Sequence, residues 1–143
     1  MTLEIIEINA ERSYPPRTSK FNKPFWDALS QGRLMTTACK KCKKLTFPPK
    51  TACPHCWSTD VEWSSLSERG TLYSWTRIHA APAAFASEAP YSVGIVDLEC
   101  GIRLACQLVA PDDLLLYPGL PVQMVVLSYK DGPLFAARVL SAE

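Results

Sequence analysis

Acidic residues are missing from the whole stretch between Ala28 and Thr59. No run approaches the roughly 18 uninterrupted apolar residues that a membrane-spanning helix needs. Also lacking are a phosphate-cradling glycine loop, a His-Glu metal motif and an isolated pair of well-placed carboxylates. Catalysis by this chain alone therefore has little support. The N-terminus, MTLEIIEINAER, carries acidic residues where a secretory signal needs a basic start and a longer apolar run, so the chain is expected in the cytoplasm. A large basic excess is lacking too: 15 Lys and Arg face 14 Asp and Glu, for a net charge of +1. A dedicated duplex binder usually carries more, because phosphate neutralisation supplies most of its affinity.

Of the 143 residues, 48% are hydrophobic and 20% charged, a globular rather than a disordered composition. That length suits one domain or two very small ones. The 12 prolines favour turns and short strands over long helices. In a reducing compartment the 6 cysteines point to metal or chemistry before disulfides.

Composition divides the chain into residues 1–37, 38–67 and 68–143. The first zone is an extended lead followed by a short amphipathic helix, with Asn22 as N-cap, Pro24 in its first turn and Gly32 just past its end. Phe25, Trp26 and Leu29 share one face of it. That face either packs on its own domain or docks on a partner, and the sequence leaves both open. From about Gly70 the pattern turns to strands: 71–78, 91–98, 102–109, 122–129 and 134–140. Glu99-Cys100-Gly101 and Lys130-Asp131-Gly132-Pro133 supply tight turns. Between the third and fourth strands, APDDLLLYPG reads as a short helical turn opened by Asp112 and Asp113 and closed by Gly119. This order is that of an OB barrel, with a generic five-stranded sandwich as the alternative. The fold class expected is mainly β: an N-terminal helical segment, a rubredoxin-like zinc ribbon and a C-terminal five-stranded OB-fold barrel.

The sharpest motif is Cys39-Lys-Lys-Cys42, then ten residues, then Cys53-Pro-His-Cys56. Two such knuckles let four thiolates converge tetrahedrally, and four soft ligands with no open position describe a structural zinc, one per chain. The segment is too small and polar to fold by burial alone, so the metal must supply much of its folding energy. Lys40, Lys41, Lys43 and Lys44 flank the ligands and favour their thiolate form. A dithiol redox pair fits two knuckles poorly. Rubredoxin-type iron uses the same four ligands, and the spacing does not separate it from zinc.

Other chemistry-bearing residues read blandly. His55 lies inside a knuckle that needs no fifth ligand, and Cys106 shares an alternating strand face with Ile102, Leu104 and Leu108. Cys100 sits in a turn as the candidate free surface thiol, and no Ser or Cys can be placed beside His79 to form a nucleophile–base pair.

The runs PFWDALSQGRL, CKKC…FPPKTACPHC, ERGTLYSWT and PYSVGIVDLECGIRLACQL together resemble the acyl-CoA-associated proteins that join a rubredoxin-like zinc ribbon to an OB-fold. The resemblance covers roughly residues 21–140 and includes all four metal cysteines. It implies a non-catalytic subunit assembled with a thiolase, a thiolase-like aldolase or an acyl-CoA hydratase as a hetero-oligomer. The partner would supply the nucleophilic Cys and general-base His, and the bond made or cleaved would lie β to the thioester. A coenzyme A thioester would then be a ligand shared with that partner.

Against that role, the cations Arg33, Lys40, Lys41, Lys43, Lys44 and Lys50 form a patch for CoA phosphates, an acidic partner surface, or simply solvent. Arg33, Lys40 and Lys41, with Phe85 and Tyr91 from the loop at 80–91, are the candidate CoA contacts; Phe85 and Tyr91 equally suit capping of the barrel. Phe25, Trp26 and Leu29 are the candidate partner-docking residues. The alternative is a single-stranded nucleic-acid module with Tyr73 or Trp75 as stacking platforms, which the near-neutral charge disfavours. A stand-alone CoA carrier or hydrolase fits least.

Overall fold

Runs of β-branched and aromatic residues separated by Gly and Pro turns leave little room for helix, and strands dominate the chain. The computed structural model describes residues 2–111 and 113–140. In chain order the elements are β1 (Glu4–Glu7), α1 (Lys23–Ser30), β2 (Met35–Cys39), β3 (Leu45–Thr46), β4 (Val61–Ser65), β5 (Arg69–Ile78), β6 (Tyr91–Leu98), β7 (Arg103–Val109), β8 (Pro121–Tyr129) and β9 (Gly132–Val139).

Strands β3, β2 and β4 form a small antiparallel sheet that carries the first cysteine knuckle. Strands β5, β6, β7, β9 and β8 pair in that order, and β8 returns to β5 to close a barrel. Only the β7–β9 pairing within it is parallel. This is the five-stranded OB barrel that the sequence predicts, mainly β and with one short helix. Alternation sets its interior: Leu104, Cys106 and Leu108 of β7 point inward, while Arg103 and Ala105 point out. Gly70 opens the barrel between Leu98 and Val122, with its α-carbon against the Asp97 carbonyl and no space for a side chain.

A bulge between Leu72 and Ser74 throws Tyr73 outward onto the solvent face. There Arg103 lies 3.8 Å over the Tyr73 ring and forms a two-pronged pair with Asp97 at 2.6 and 3.1 Å.

One expectation needs correction. The segment after β7 contains no helix among its described residues; a single turn closes through the Leu114 amide to the Pro111 carbonyl. Beyond it Leu114 and Leu116 pack on the core while Leu115 and Tyr117 face solvent. That period of two belongs to extended chain, and it buries more of LLLY than a lone helical turn would. Asp112, expected to open a helix here, lies outside the described residues.

The helix itself forms where expected, with Pro24 in its first turn and Gly32 past its end at φ +80°. Asn22 precedes it without capping it: its Oδ1 accepts from the Ser19 amide at 2.6 Å. Its apolar face, open in sequence to packing on its own domain or docking on a partner, packs on the chain itself. Phe25 and Leu29 are 4% and 0% exposed, packed in the same core as the barrel residues Leu120, Val122 and Met124. Trp26 is half-buried against that core. This face meets the chain's own barrel at β9 and β8 and its ribbon at β2.

The N-terminal lead is ordered by pairing. Strand β1 runs parallel to β8, from Glu4 opposite Val125 to Glu7 opposite Ser128. Farther on, the Arg12 amide donates to Asp131 Oδ1 at 2.9 Å, and its guanidinium donates to the Asp131 and Pro133 carbonyls at 2.8 and 3.3 Å. These bonds fasten the lead to the β8–β9 hairpin. They also hold the Asp131 carboxyl below its usual range, chiefly through the Arg12 amide.

Candidate metal centre and adjoining grooves

The two knuckles repeat one backbone arrangement. The amides of Lys43 and Trp57 donate to the carbonyls of Cys39 and Cys53, at 2.9 and 2.8 Å. In return, the amides of Cys39 and Cys53 donate to the carbonyls of Lys44 and Ser58, at 3.0 and 2.8 Å. Lys43 and Trp57 both take the left-handed conformation, at φ +67° and +65°. Each loop also turns an amide onto sulfur: Cys42 N–H to Cys39 Sγ and His55 N–H to Cys53 Sγ, both at 3.4 Å.

This geometry brings all four sulfurs within 4.8 Å of one another, with Cys39–Cys56 and Cys42–Cys53 at 3.5 Å. A tetrahedron with metal–sulfur bonds of about 2.3 Å has edges near 3.8 Å, so the donor set matches a tetrathiolate zinc. Their acidities differ. The Cys42 amide pulls the Cys39 thiol down to about 6. Burial raises the Cys53 thiol, but the Cys56 and His55 amides outweigh it and leave it below its ordinary value. At Cys56 the strongest influence, the Ser58 amide, lowers the thiol, yet desolvation and the three neighbouring sulfurs raise it to about 11. Four thiolates at this spacing need a cation. Held by Cys39, Cys42, Cys53 and Cys56, zinc would supply that charge and cross-link the ribbon.

The remaining candidates divide between two regions. Arg33, Lys40 and Lys41 are all exposed on the ribbon side; Arg33 donates to Gln31 Oε1 at 2.9 Å, and Lys40 lies 3.9 Å from Asp60. Phe85 and Tyr91 meet at 6.1 Å between ring centres, and Phe85 stacks on Tyr14 of the lead at 6.5 Å. The structure does not gather these five around one groove. Tyr91 lines a groove of about 430 Å³ with Trp75, Arg77, Glu88, Gln107 and Leu114. Glu88 and Gln107 continue into a second groove of about 580 Å³, walled by Ile6, Ile8 and Tyr129. At their junction the Tyr129 hydroxyl donates to Glu88 Oε1 at 3.4 Å, and burial, then Glu88, raises its pKa. Sequence gave no warning of Glu88, Gln107 or Tyr129, because loop, β7 and β8 meet only in the folded barrel.

A third groove lies between ribbon and barrel, about 700 Å³ in volume. Lys43, Lys44, Lys50 and His55 line it from the ribbon, and Cys100, Gly101 and Ile102 from the β6–β7 turn. Cys100 is exposed, and burial raises its thiol, but the Ser67 hydroxyl and nearby amides outweigh that and lower it. Cys106 is a core residue, its thiol pushed up to about 12 by burial. His79 is exposed at the end of β5.

A closed OB barrel joined to a four-cysteine ribbon defines the class: a zinc-ribbon/OB-fold protein. Residues 26–62 match the family described as ChsH2, rubredoxin-like zinc ribbon domain, and residues 63–127 match ChsH2, C-terminal OB-fold domain. The chain belongs to this ChsH2/DUF35 family. It is 36% identical over 101 residues to a DUF35 domain-containing scaffold protein of Methanocaldococcus jannaschii, covering 68% of this chain and 70% of that one. It is 35% identical over 103 residues to the benzoylsuccinyl-CoA thiolase subunit BbsA of Thauera aromatica, covering 70% of each. Among solved structures, a chain of the Ltp2-ChsH2(DUF35) aldolase superposes with a TM-score of 0.76 at 33% identity, over 87% of this chain and 98% of that one.

Proposed function

We propose that this chain is the non-catalytic subunit of a thiolase-type complex that makes or cleaves the carbon–carbon bond β to a CoA thioester. The observation that carries this reading is the near-complete superposition on a chain of a thiolase-like aldolase assembly. The identity to a named thiolase subunit supports it independently. The chain works in the cytoplasm as part of a hetero-oligomer, and no helix of its described residues is long and apolar enough to cross a membrane.

The division of labour follows from the fold. Zinc holds the ribbon, and the Phe25–Leu29 face locks the ribbon and helix to the barrel, so the subunit presents a rigid surface to its partner. The joined grooves beside Phe85 and Tyr91 offer apolar walls with Glu88 and Gln107 as polar points, a lining suited to the amide-bearing arm of a CoA ester. The nucleophile and the base come from the partner. Single-stranded nucleic acid is a weaker reading, because Arg103, itself paired with Asp97, already covers the Tyr73 ring.

Affinity purification of the tagged chain from its native extract, with mass spectrometry and metal analysis, tests the reading. A thiolase-like protein at near-equal stoichiometry with one zinc per chain is the expected result. Recovery of nucleic acid, or of no enzyme at all, would overturn it.

A further inference from the structure

The ribbon–barrel groove has a property that its amino-acid neighbourhood does not explain. Between Ala28 and Thr59 there are six cations and no carboxylate. A zinc tetrathiolate carries a formal −2, which leaves an excess of four positive charges. The structure sorts those cations. Arg33 donates to the neutral Gln31, Lys40 lies 3.9 Å from Asp60, and Lys41 is exposed outside the groove wall. Lys43, Lys44 and Lys50 instead converge on one concavity, with His55 at its edge and no Asp or Glu in its wall. Among the described residues, no carboxylate forms an ion pair with any of the three.

Cations that share one concavity without a counter-charge favour an anionic ligand there. The ribbon backbone sets where the three lysines leave it. Lys43 and Lys44 leave the first knuckle at its left-handed turn, and the Lys50 amide is tied to Thr37 Oγ1 at 3.0 Å. Leu45, Phe47 and Ile102 form an apolar floor between them. A multiply charged planar ligand satisfies both features: phosphates for the ammonium groups and a base or ribose for the floor.

We infer that this groove is a phosphate-binding site, taking the nucleotide bisphosphate end of a coenzyme A ester through Lys43, Lys44 and Lys50. The inference rests on the acyl-CoA reading for the identity of the ligand, and it relocates the phosphate contacts from Arg33, Lys40 and Lys41. The site itself belongs to this chain and needs no partner.

Cys100 in the groove wall provides the readout. In the zinc-loaded protein the four knuckle thiols are held by metal and Cys106 is buried, so alkylation reports on Cys100, with Cys100→Ser as the check on adduct position. The probes are adenosine 3′,5′-bisphosphate, adenosine, and sulfate at matched ionic strength. Adenosine 3′,5′-bisphosphate should slow alkylation several-fold in a saturable manner, while adenosine and sulfate leave it unchanged. Lys43→Gln combined with Lys44→Gln should abolish the protection, and Arg33→Gln combined with Lys40→Gln should retain it. Because lysine loss changes the thiol itself, each variant is read as the ratio with and without probe. Failure of the bisphosphate to protect would overturn the site, as would equal protection by sulfate or by adenosine, or protection that survives loss of Lys43 and Lys44. The assay uses the isolated chain, so its failure leaves association with a thiolase partner untouched, and the purification experiment judges that separately.

Discussion

Phe25 of the helix and Phe135 of β9 meet edge to face, with ring centres 6.1 Å apart and planes at 88°. Phe47, between the two knuckles, touches both rings at 6.2 and 5.7 Å. Helix, ribbon and barrel are thus joined by three aromatic side chains, and of the two readings open to the helix face these contacts favour packing on the chain's own core.

Phe25→Ala should therefore destabilise the isolated chain by about 3–5 kcal/mol, the usual range for removing a buried aromatic. Urea denaturation should show a lower midpoint at similar slope. Unchanged stability together with lost partner binding would return the residue to the interface.

Cys42→Ala should remove a ligand and with it most of the metal affinity. Hydrogen exchange should then accelerate at Thr36 and Thr37 in the ribbon, while Val96 and Val125 in the barrel stay protected. Acid should release zinc in the same order, since protons compete for the thiolates. One retained zinc with unchanged exchange would contradict a structural site.

Gly70→Ala places a methyl group against the Asp97 carbonyl, where backbone rather than a flexible side chain must move. A loss of about 1–3 kcal/mol is expected, as for other overpacked sites, read as a lower midpoint in thermal or urea unfolding. Wild-type stability would show that the barrel opening is looser than its geometry.

The Asp97 carboxyl lies below its ordinary value, mainly because Arg103 donates to it. A depressed folded value means its stabilisation is present above the unfolded carboxylate pKa of about 3.9 and disappears as pH falls through the folded value. Asp97→Asn should accordingly be less stable than wild type at pH 6, with the gap closing below about pH 4. A gap that persists in acid would show that packing, not charge, governs the site.

Much of this was legible in the sequence, and the residues show why. Strand 91–98 coincides with β6 because it is rich in β-branched and aromatic residues and a tight turn follows it at Glu99-Cys100-Gly101. The CxxC pairs announce the ribbon because ligand spacing is local. The helix face was equally visible, but amphipathicity says only that a face is covered, not by what. The LLLY segment misled through composition, since its apolar side chains suit either period until the barrel floor selects alternate ones. Grouping of Lys43, Lys44 and Lys50 opposite Cys100 depends on a ribbon–barrel approach that no local pattern encodes.

The most direct test of the central claim compares the thiolase-type partner alone with the co-expressed complex, using the same CoA esters. The complex should cleave or condense at a rate the partner alone does not reach, with this chain inactive by itself, and Phe85→Ala or Tyr91→Ala should raise KM more than they lower kcat. A partner that runs alone at the full rate over the same substrate range would contradict the accessory role.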